Sequence, residues 1–285
     1  MKIIRDKSAL RALVSDWHRQ GHRIGVVPTM GALHAGHLAL VKAARKTADR
    51  VIVTLFVNPR QFNDPTDLAN YPRSEDRDAK ALAPLGPDVL YAPDPDQIYP
   101  EGFATTITVA GISDVLCGAS RPGHFDGVAT VVTKLLLQTG ADIAFFGEKD
   151  FQQVQLIRRL VRDLDLCTEI VACPTQREAD GLALSSRNLR LSPEARATAP
   201  ALHRIMAETA AAIRQGTAPD AALASGRAAL QAAGFGPVDY FDLRHEDDLS
   251  PATAASAPAP ARPARIFAAA WLDGVRLIDN LALAT

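Results

Sequence analysis

The chain has few cysteines, no long apolar run and no excess of either charge. Cys117, Cys167 and Cys173 are odd in number and form no CxxC pair. They argue against a disulfide framework and against a structural zinc site, and they read as cysteines of a reducing, cytoplasmic compartment. No window of 18 or more apolar residues occurs, so no transmembrane helix is expected. The opening MKIIRDKSALRALVSDW carries Arg5, Asp6 and Asp16, and so lacks the apolar core of a signal peptide. Thirty-one Lys and Arg against 32 Asp and Glu leave a net charge of −1. That balance gives no general grip on a nucleic-acid backbone. Neither a membrane nor a nucleic acid is therefore expected as a partner, although the totals leave room for a local basic patch.

What is present is globular: 47% hydrophobic and 22% charged residues over 285 positions. Leu10, Leu13, Val14 and Trp17 form one apolar stripe, which predicts a helix over 8–20 with Ser8 as its cap and Gly21 just past its end. A strand at 23–27 and a helix through 46 follow. VIVTLFV at 51–57 reads as a strand buried on both faces. DVLYAP and TTITV are shorter strand candidates. Helix is expected over 127–139 and 150–163, with strands at 142–146 and 169–173. This alternation predicts an α/β fold with a Rossmann-like parallel sheet over residues 1–175. Beyond it, Ala-rich helices at 193–215 and 219–233, a strand at 238–244 and a hairpin turning at Asp273-Gly274 predict a smaller α+β domain over 176–285. The Ala/Pro tract at 250–265 reads as a mobile surface loop.

Ligands of an open parallel sheet bind beyond the carboxyl ends of its strands. Polar groups recur at several such ends here. VVPTMGALHAGHLALVKAAR, 26–45, places Gly31, Gly36, His34 and His37 at a strand-to-helix turn. Free N–H groups there favour phosphate, and imidazoles near pH 6.5 can donate to phosphate oxygens and gain charge as they do. A simple capped turn would use the same residues. Asn58 and Gln61 in FVNPRQFN suit hydroxyl and carboxylate recognition, although an Asn-Pro turn is the plainer account of that segment. Lys149, Asp150 and Gln153 in FFGEKDFQQ follow another strand, where a compact ammonium suits phosphate. Ser185, Ser186 and Arg187 in DGLALSSRN offer two hydroxyls and a guanidinium. Asp76 and Asp78 in YPRSEDRDAK are candidates for Mg²⁺, which takes one or two carboxylates beside phosphate oxygens. The recurrence of such groups at strand ends is more specific than any one of them.

PTMGALHAGH resembles the HxGH signature shared by class I aminoacyl-tRNA synthetases and related adenylyltransferases. Together with FVNPRQF, YPR, RPGHFDGVATVV, FFGEKDFQQ and READGLALSSRN, in this order, the chain is similar to the pantothenate synthetase (pantoate–β-alanine ligase) family from about residue 3 to 200 and more weakly beyond. The resemblance implies an ATP-dependent condensation of pantoate with β-alanine through a pantoyl adenylate, releasing AMP and pyrophosphate. It implies ATP contacts at Met30, Gly31, Ala32, Leu33, His34, Ala35, Gly36 and His37, with His37, His34 and Lys149 catalytic. It implies further ATP contacts at Gly147, Glu148, Lys149 and Asp150, at Gln176, and at Leu184, Ser185, Ser186 and Arg187. Pantoate falls to Gln61 and Gln153, with Asn58 beside them, and β-alanine also to Gln61. The family's Mg²⁺ position reads Glu75-Asp76-Arg77-Asp78 here. Arg77 interrupts the acidic pair, so only Asp78 carries over as the metal ligand. A cytoplasmic homodimer is the implied state.

Overall fold

The fold is that of a computed structural model in which residues 1–63, 65–69, 71, 74–252 and 262–283 are described. Among these, nine strands are present: β1 (Lys2–Ile4), β2 (Ile24–Thr29), β3 (Arg50–Leu55), β4 (Val89–Tyr91), β5 (Ile143–Gly147), β6 (Glu169–Cys173), β7 (Val238–His245), β8 (Ala264–Leu272) and β9 (Val275–Ala282). The first six form one parallel sheet in the order β1-β4-β3-β2-β5-β6. Its period-2 alternation divides the apolar residues between two cores. Val27, Val51, Val53 and Phe145 face helices Ala35–Thr47 and Glu75–Leu82. Val26, Ile52, Ala144 and Phe146 face helices Lys7–Arg19, His124–Thr139 and Phe151–Asp163. Coverage on both faces is why the central strands are unbroken apolar runs.

The chain builds β2, β3 and β4 outwards, then crosses back through helix His124–Thr139 to set β5 on the other flank of β2. The strand order therefore reverses between β2 and β5, and a crevice opens beyond their carboxyl ends. The smaller C-terminal domain is an antiparallel sheet, β7-β8-β9. Helices Ala201–Arg214 and Pro219–Ala232 cover it through Leu202, Ile205, Met206 and Leu230. Its opposite side meets the parallel-sheet domain, where Tyr240 and Phe267 join the core that holds Val128 and Leu156. The β8–β9 turn is the expected two-residue one, with Asp273 and Gly274 both at positive φ.

Several expectations need correcting. TTITV forms no strand: the Ile107 N–H goes to Thr130 Oγ1 and Arg60 holds the Thr105 carbonyl, so no partner strand is met. The short β1 was not foreseen, because three residues carry too little periodicity. The first helix is capped by Asp6, whose carboxylate takes the Ala9 N–H at 2.7 Å, and not by Ser8. The helix expected from 127 begins at His124. The helix expected over 193–215 is two, Pro193–Thr198 and Ala201–Arg214, parted at Pro200, which has no N–H to continue the ladder. Within the Ala/Pro tract, Pro251 bridges Arg244 and β8 already begins at Ala264. Residues 253–261 lie outside the described residues.

One close approach couples the fold to the crevice. Gly127 lies against the turn Pro59–Gln61, and a Cβ there would fall 2.3 Å from the Arg60 carbonyl oxygen. Gly127→Ala is expected to destabilise by about 1–3 kcal/mol through overpacking. Urea unfolding measures this, and an unchanged midpoint would contradict the packing described.

Candidate active site

The turn after β2 has backbone N–H groups that no strand or helix can take, and side chains take them instead. Gly31 and Ala32 both lie at positive φ, 82° and 51°. The N–H groups of Ala32 and Leu33 donate to the two carboxylate oxygens of Asp78 at 2.9 and 2.8 Å. Asp78 is only 1% exposed. The resemblance puts Mg²⁺ at Asp78; in the structure its two oxygens hold the turn, and it does not line the cleft.

The helix Ala35–Thr47 then starts on two imidazoles. His34 Nδ1 accepts the Gly36 N–H at 3.2 Å, and His37 Nδ1 accepts the His34 N–H at 3.3 Å. A Cβ on residue 36 would sit 2.9 Å from the His34 ring, so glycine is what lets the ring fold back. Each imidazole uses Nδ1 as an acceptor, which fixes the proton on Nε2. The ring centroids are 4.1 Å apart. Burial, then the neighbouring His34, push His37 down to about 3, and burial followed by Lys149 lowers His34. The rings are thus neutral Nε2–H donors at neutral pH, and not groups poised to take up a proton as the sequence suggested.

One cleft gathers the strand ends. β2 supplies Met30, Gly36, His34 and His37; the segment after β3 supplies Asn58 and Gln61; β5 leads to Gly147, Lys149, Asp150 and Gln153. Gln176, following β6, and Leu184, Ser185, Ser186 and Arg187 close the rim. Of the expected site residues, Gly31, Ala32, Leu33, Ala35, Glu148 and Asp78 do not line it. Leu33 is buried in the core below. The Glu148 carbonyl is held from behind by Asn280. Lys149 Nζ lies 3.8 Å from the Asp150 carboxylate, so the cleft pairs a cation with a carboxylate able to meet Mg²⁺.

On the opposite wall an amide relay has a fixed polarity. Tyr99 OH donates to Asn58 Oδ1 at 2.8 Å, and Asn58 Nδ2 donates to Gln61 Oε1 at 3.0 Å. Burial pushes the Tyr99 phenol up to about 12, so it keeps its proton. Gln61 therefore keeps its NH₂ free of this relay at the cleft, the right group for a carboxylate or hydroxyl oxygen. Beside it, Val128, Val131, Val132 and Leu135 of helix His124–Thr139 give an apolar patch. Arg121 and His124 also line the cleft, and both hold the Gln61 carbonyl, at 3.1 and 2.8 Å. His124 donates through Nδ1, the opposite tautomer to the other two rings, and burial followed by Arg121 lowers it to about 3. Sequence reasoning assigns no role to these two residues of RPGH, and their spacing of three is the available signal.

The histidines make the protein acid-sensitive. His37 and His124 sit near 3 when folded, against about 6.5 unfolded. A depressed value stabilises the fold above pH 6.5, and that stability is lost as pH falls towards 3, because only the unfolded chain takes the protons. The unfolding free energy is expected to fall below pH 6.5 with a slope of up to about 1.4 kcal/mol per pH unit for each histidine. Denaturant titrations should show one histidine's share of this slope missing in His124→Gln, and an unaltered slope would contradict the burial described.

The family model for pantoate-β-alanine ligase matches residues 2–282. A pantothenate synthetase from Chelativorans sp. strain BNC1 is 61% identical over 282 residues, covering 99% of this chain and 98% of its own. The crystal structure of pantothenate synthetase from Thermus thermophilus superposes with a TM-score of 0.92 at 44% identity, over all of both chains. That of the Francisella tularensis pantoate-β-alanine ligase, complexed with β-γ ATP and β-alanine, gives 0.80 at 37% identity over 100% of this chain and 98% of that one. With the family model covering nearly the whole chain and the fold shared end to end, this chain belongs to the pantoate-β-alanine ligase family, ligases that form a carbon–nitrogen bond.

Proposed function

We propose that the enzyme condenses (R)-pantoate with β-alanine through a pantoyl adenylate, consuming ATP and releasing AMP and pyrophosphate. The observation that carries this is one cleft with two chemistries. Neutral Nε2–H donors, Lys149 and the Ser185–Arg187 rim suit phosphate, and they face a Gln61 amide and a valine-lined wall that suit a small branched hydroxy acid. A carboxylate is a poor acyl donor to an amine. In the first step a pantoate carboxylate oxygen attacks the α-phosphorus as the bond to the bridging oxygen breaks and pyrophosphate leaves. In the second the amine attacks the acyl carbon, the acyl C–O bond breaks, AMP leaves with that oxygen, and the amine proton passes to solvent. Both steps need positioning and charge stabilisation more than covalent catalysis.

His37 and His34 would donate Nε2–H to phosphate oxygens that gain charge, without reorganising, since the backbone already holds their Nδ1 atoms. Gln61 and Gln153 would hold pantoate, with Asn58 setting the polarity of Gln61. Gln176 and the 184–187 segment would close on the nucleotide. Mg²⁺ fits this cleft through Asp150, which lines it beside Lys149, together with phosphate oxygens. When bound it would offset charge on the departing pyrophosphate. The Francisella relative's complex with β-γ ATP and β-alanine supports both as substrates here. The division into units over 1–175 and 176–285 belongs to the same reading, supported by the separate core that begins at Leu182. So do a cytoplasmic location and a homodimer, which rest on the family. Among the described residues no helix is long and apolar enough to cross a membrane.

The test is oxygen transfer. With pantoate labelled by ¹⁸O in its carboxylate, one ¹⁸O should appear in AMP per turnover, in a reaction needing ATP, pantoate and β-alanine. Label in inorganic phosphate, or none in AMP, would overturn the adenylate. In the same assay His37→Ala should slow pyrophosphate release by about 10²–10³, the loss of one preorganised donor. Near-normal turnover would remove its role.

A further inference from the structure

The strand β9 breaks its own pattern. Along it, odd positions face the small domain's helices and even positions face the parallel-sheet domain. Val275 and Leu277 belong to the small core, and Ile278 packs against the large one. The next two residues, Asp279 and Asn280, are polar and yet both only 4% exposed. A buried carboxylate and a buried amide side by side near a strand end are costly unless they are spent on something.

Each is spent on a different piece of the cleft. Asn280 Nδ2 donates to the carbonyls of Glu148 and Lys149, both at 2.8 Å, while its Oδ1 accepts from Arg265 Nη1 at 2.6 Å. Arg265 in turn stacks over Phe151, the first residue of the helix that follows the Lys149 turn, at 3.9 Å. Asp279 grips Arg177 with two bonds, at 2.6 and 3.0 Å. Arg177 pairs with Ala183 and donates to the Gly181 carbonyl, closing the hairpin that delivers Leu184 and Ser185 to the rim. His203 Nδ1 lies 3.7 Å from the same carboxylate. Two adjacent residues of the small domain thus hold both segments that line the cleft from the β5 and rim sides.

We propose that Asp279 and Asn280 are positioning residues, which fix the Lys149 turn and the Ser185–Arg187 segment at one separation and so make the small domain part of the phosphate grip. Their effect on the reaction passes through Lys149 and through the hairpin. This rests on the proposed adenylation reaction. On that reading the two segments would meet the phosphates that depart as pyrophosphate, so their displacement should harm the first half-reaction and spare the second.

Asn280→Asp tests this, since it keeps the shape and removes both donors to the turn. Asp279→Asn tests the hairpin arm. Pyrophosphate release from ATP and pantoate is measured, and separately the rate at which synthetic pantoyl adenylate and β-alanine give pantothenate. For both variants, KM for ATP is expected to rise or pyrophosphate release to fall at least about tenfold, with KM for pantoate and the second half-reaction within about twofold of the parent. A variant with ATP kinetics like the parent's overturns the inference. So does an equal loss in both half-reactions, or a protein that does not fold, since either marks a role in the core alone. The parent enzyme is run alongside. Absence of pantoate-dependent pyrophosphate release from the parent would overturn the adenylation reading and this inference together, whereas an active parent with unaffected variants removes only the positioning role.

Discussion

The turn after β2 must leave the sheet and start a helix within a few residues, and its backbone N–H groups have no ladder to join. What satisfies them shapes the whole site. Asp78, 46 residues from Ala32 in sequence, takes two of them from beneath the turn. His34 and His37 take two more, each through Nδ1. An unsatisfied buried N–H costs about 1–3 kcal/mol, so these contacts fix the turn firmly. They also settle which ring nitrogen is left over. Both imidazoles must present an N–H to the cleft, and burial keeps them uncharged. One set of backbone contacts therefore sets the loop geometry and the tautomers, and burial sets the charge of the donors.

The rest of the molecule surrounds that turn with complementary chemistry. The reversal of strand order between β2 and β5 opens the crevice, and β3 and β6 bring further polar segments to it. Helix His124–Thr139, the crossover that makes the reversal, also serves as the apolar wall and, through Gly127, presses on the turn that carries Gln61. Tyr99 and Asn58 give Gln61 a fixed polarity from the other side. The small domain braces the same cleft through β9, by contacts to main-chain carbonyls and to Arg177. Charge in the cleft is held beside neighbours, Lys149 beside Asp150 and Arg121 beside His124.

Much of this was legible in the sequence, for local reasons. Buried parallel strands read as apolar runs, Asp273-Gly274 permits a turn with both φ positive, and the histidines, Lys149, Asn58, Gln61 and the serines all lie in segments that follow strands. What sequence missed is set by distance along the chain. That Asp78 holds a turn 46 residues earlier is a contact nothing local in the sequence shows. Asn280 meets Glu148 across 132 residues, and in the sequence it is only the end of a hairpin strand. The charge state of His37 was misread for the same reason, since burial comes from packing that no spacing records. TTITV shows the converse: β-branched alternation makes a strand only when a neighbour is free to pair, and here Thr130 and Arg60 occupy its backbone.

The geometry of the turn requires that His34 and His37 be neutral donors whose proton is fixed on Nε2 by the backbone. Nitrogen-15 NMR of the histidine-labelled, ligand-free protein across a pH series measures this directly. The expected result is the Nε2–H tautomer for both rings at neutral pH, and no titration of His37 near the ordinary histidine value of about 6.5. A His37 that titrates there, or that carries its proton on Nδ1, would contradict it.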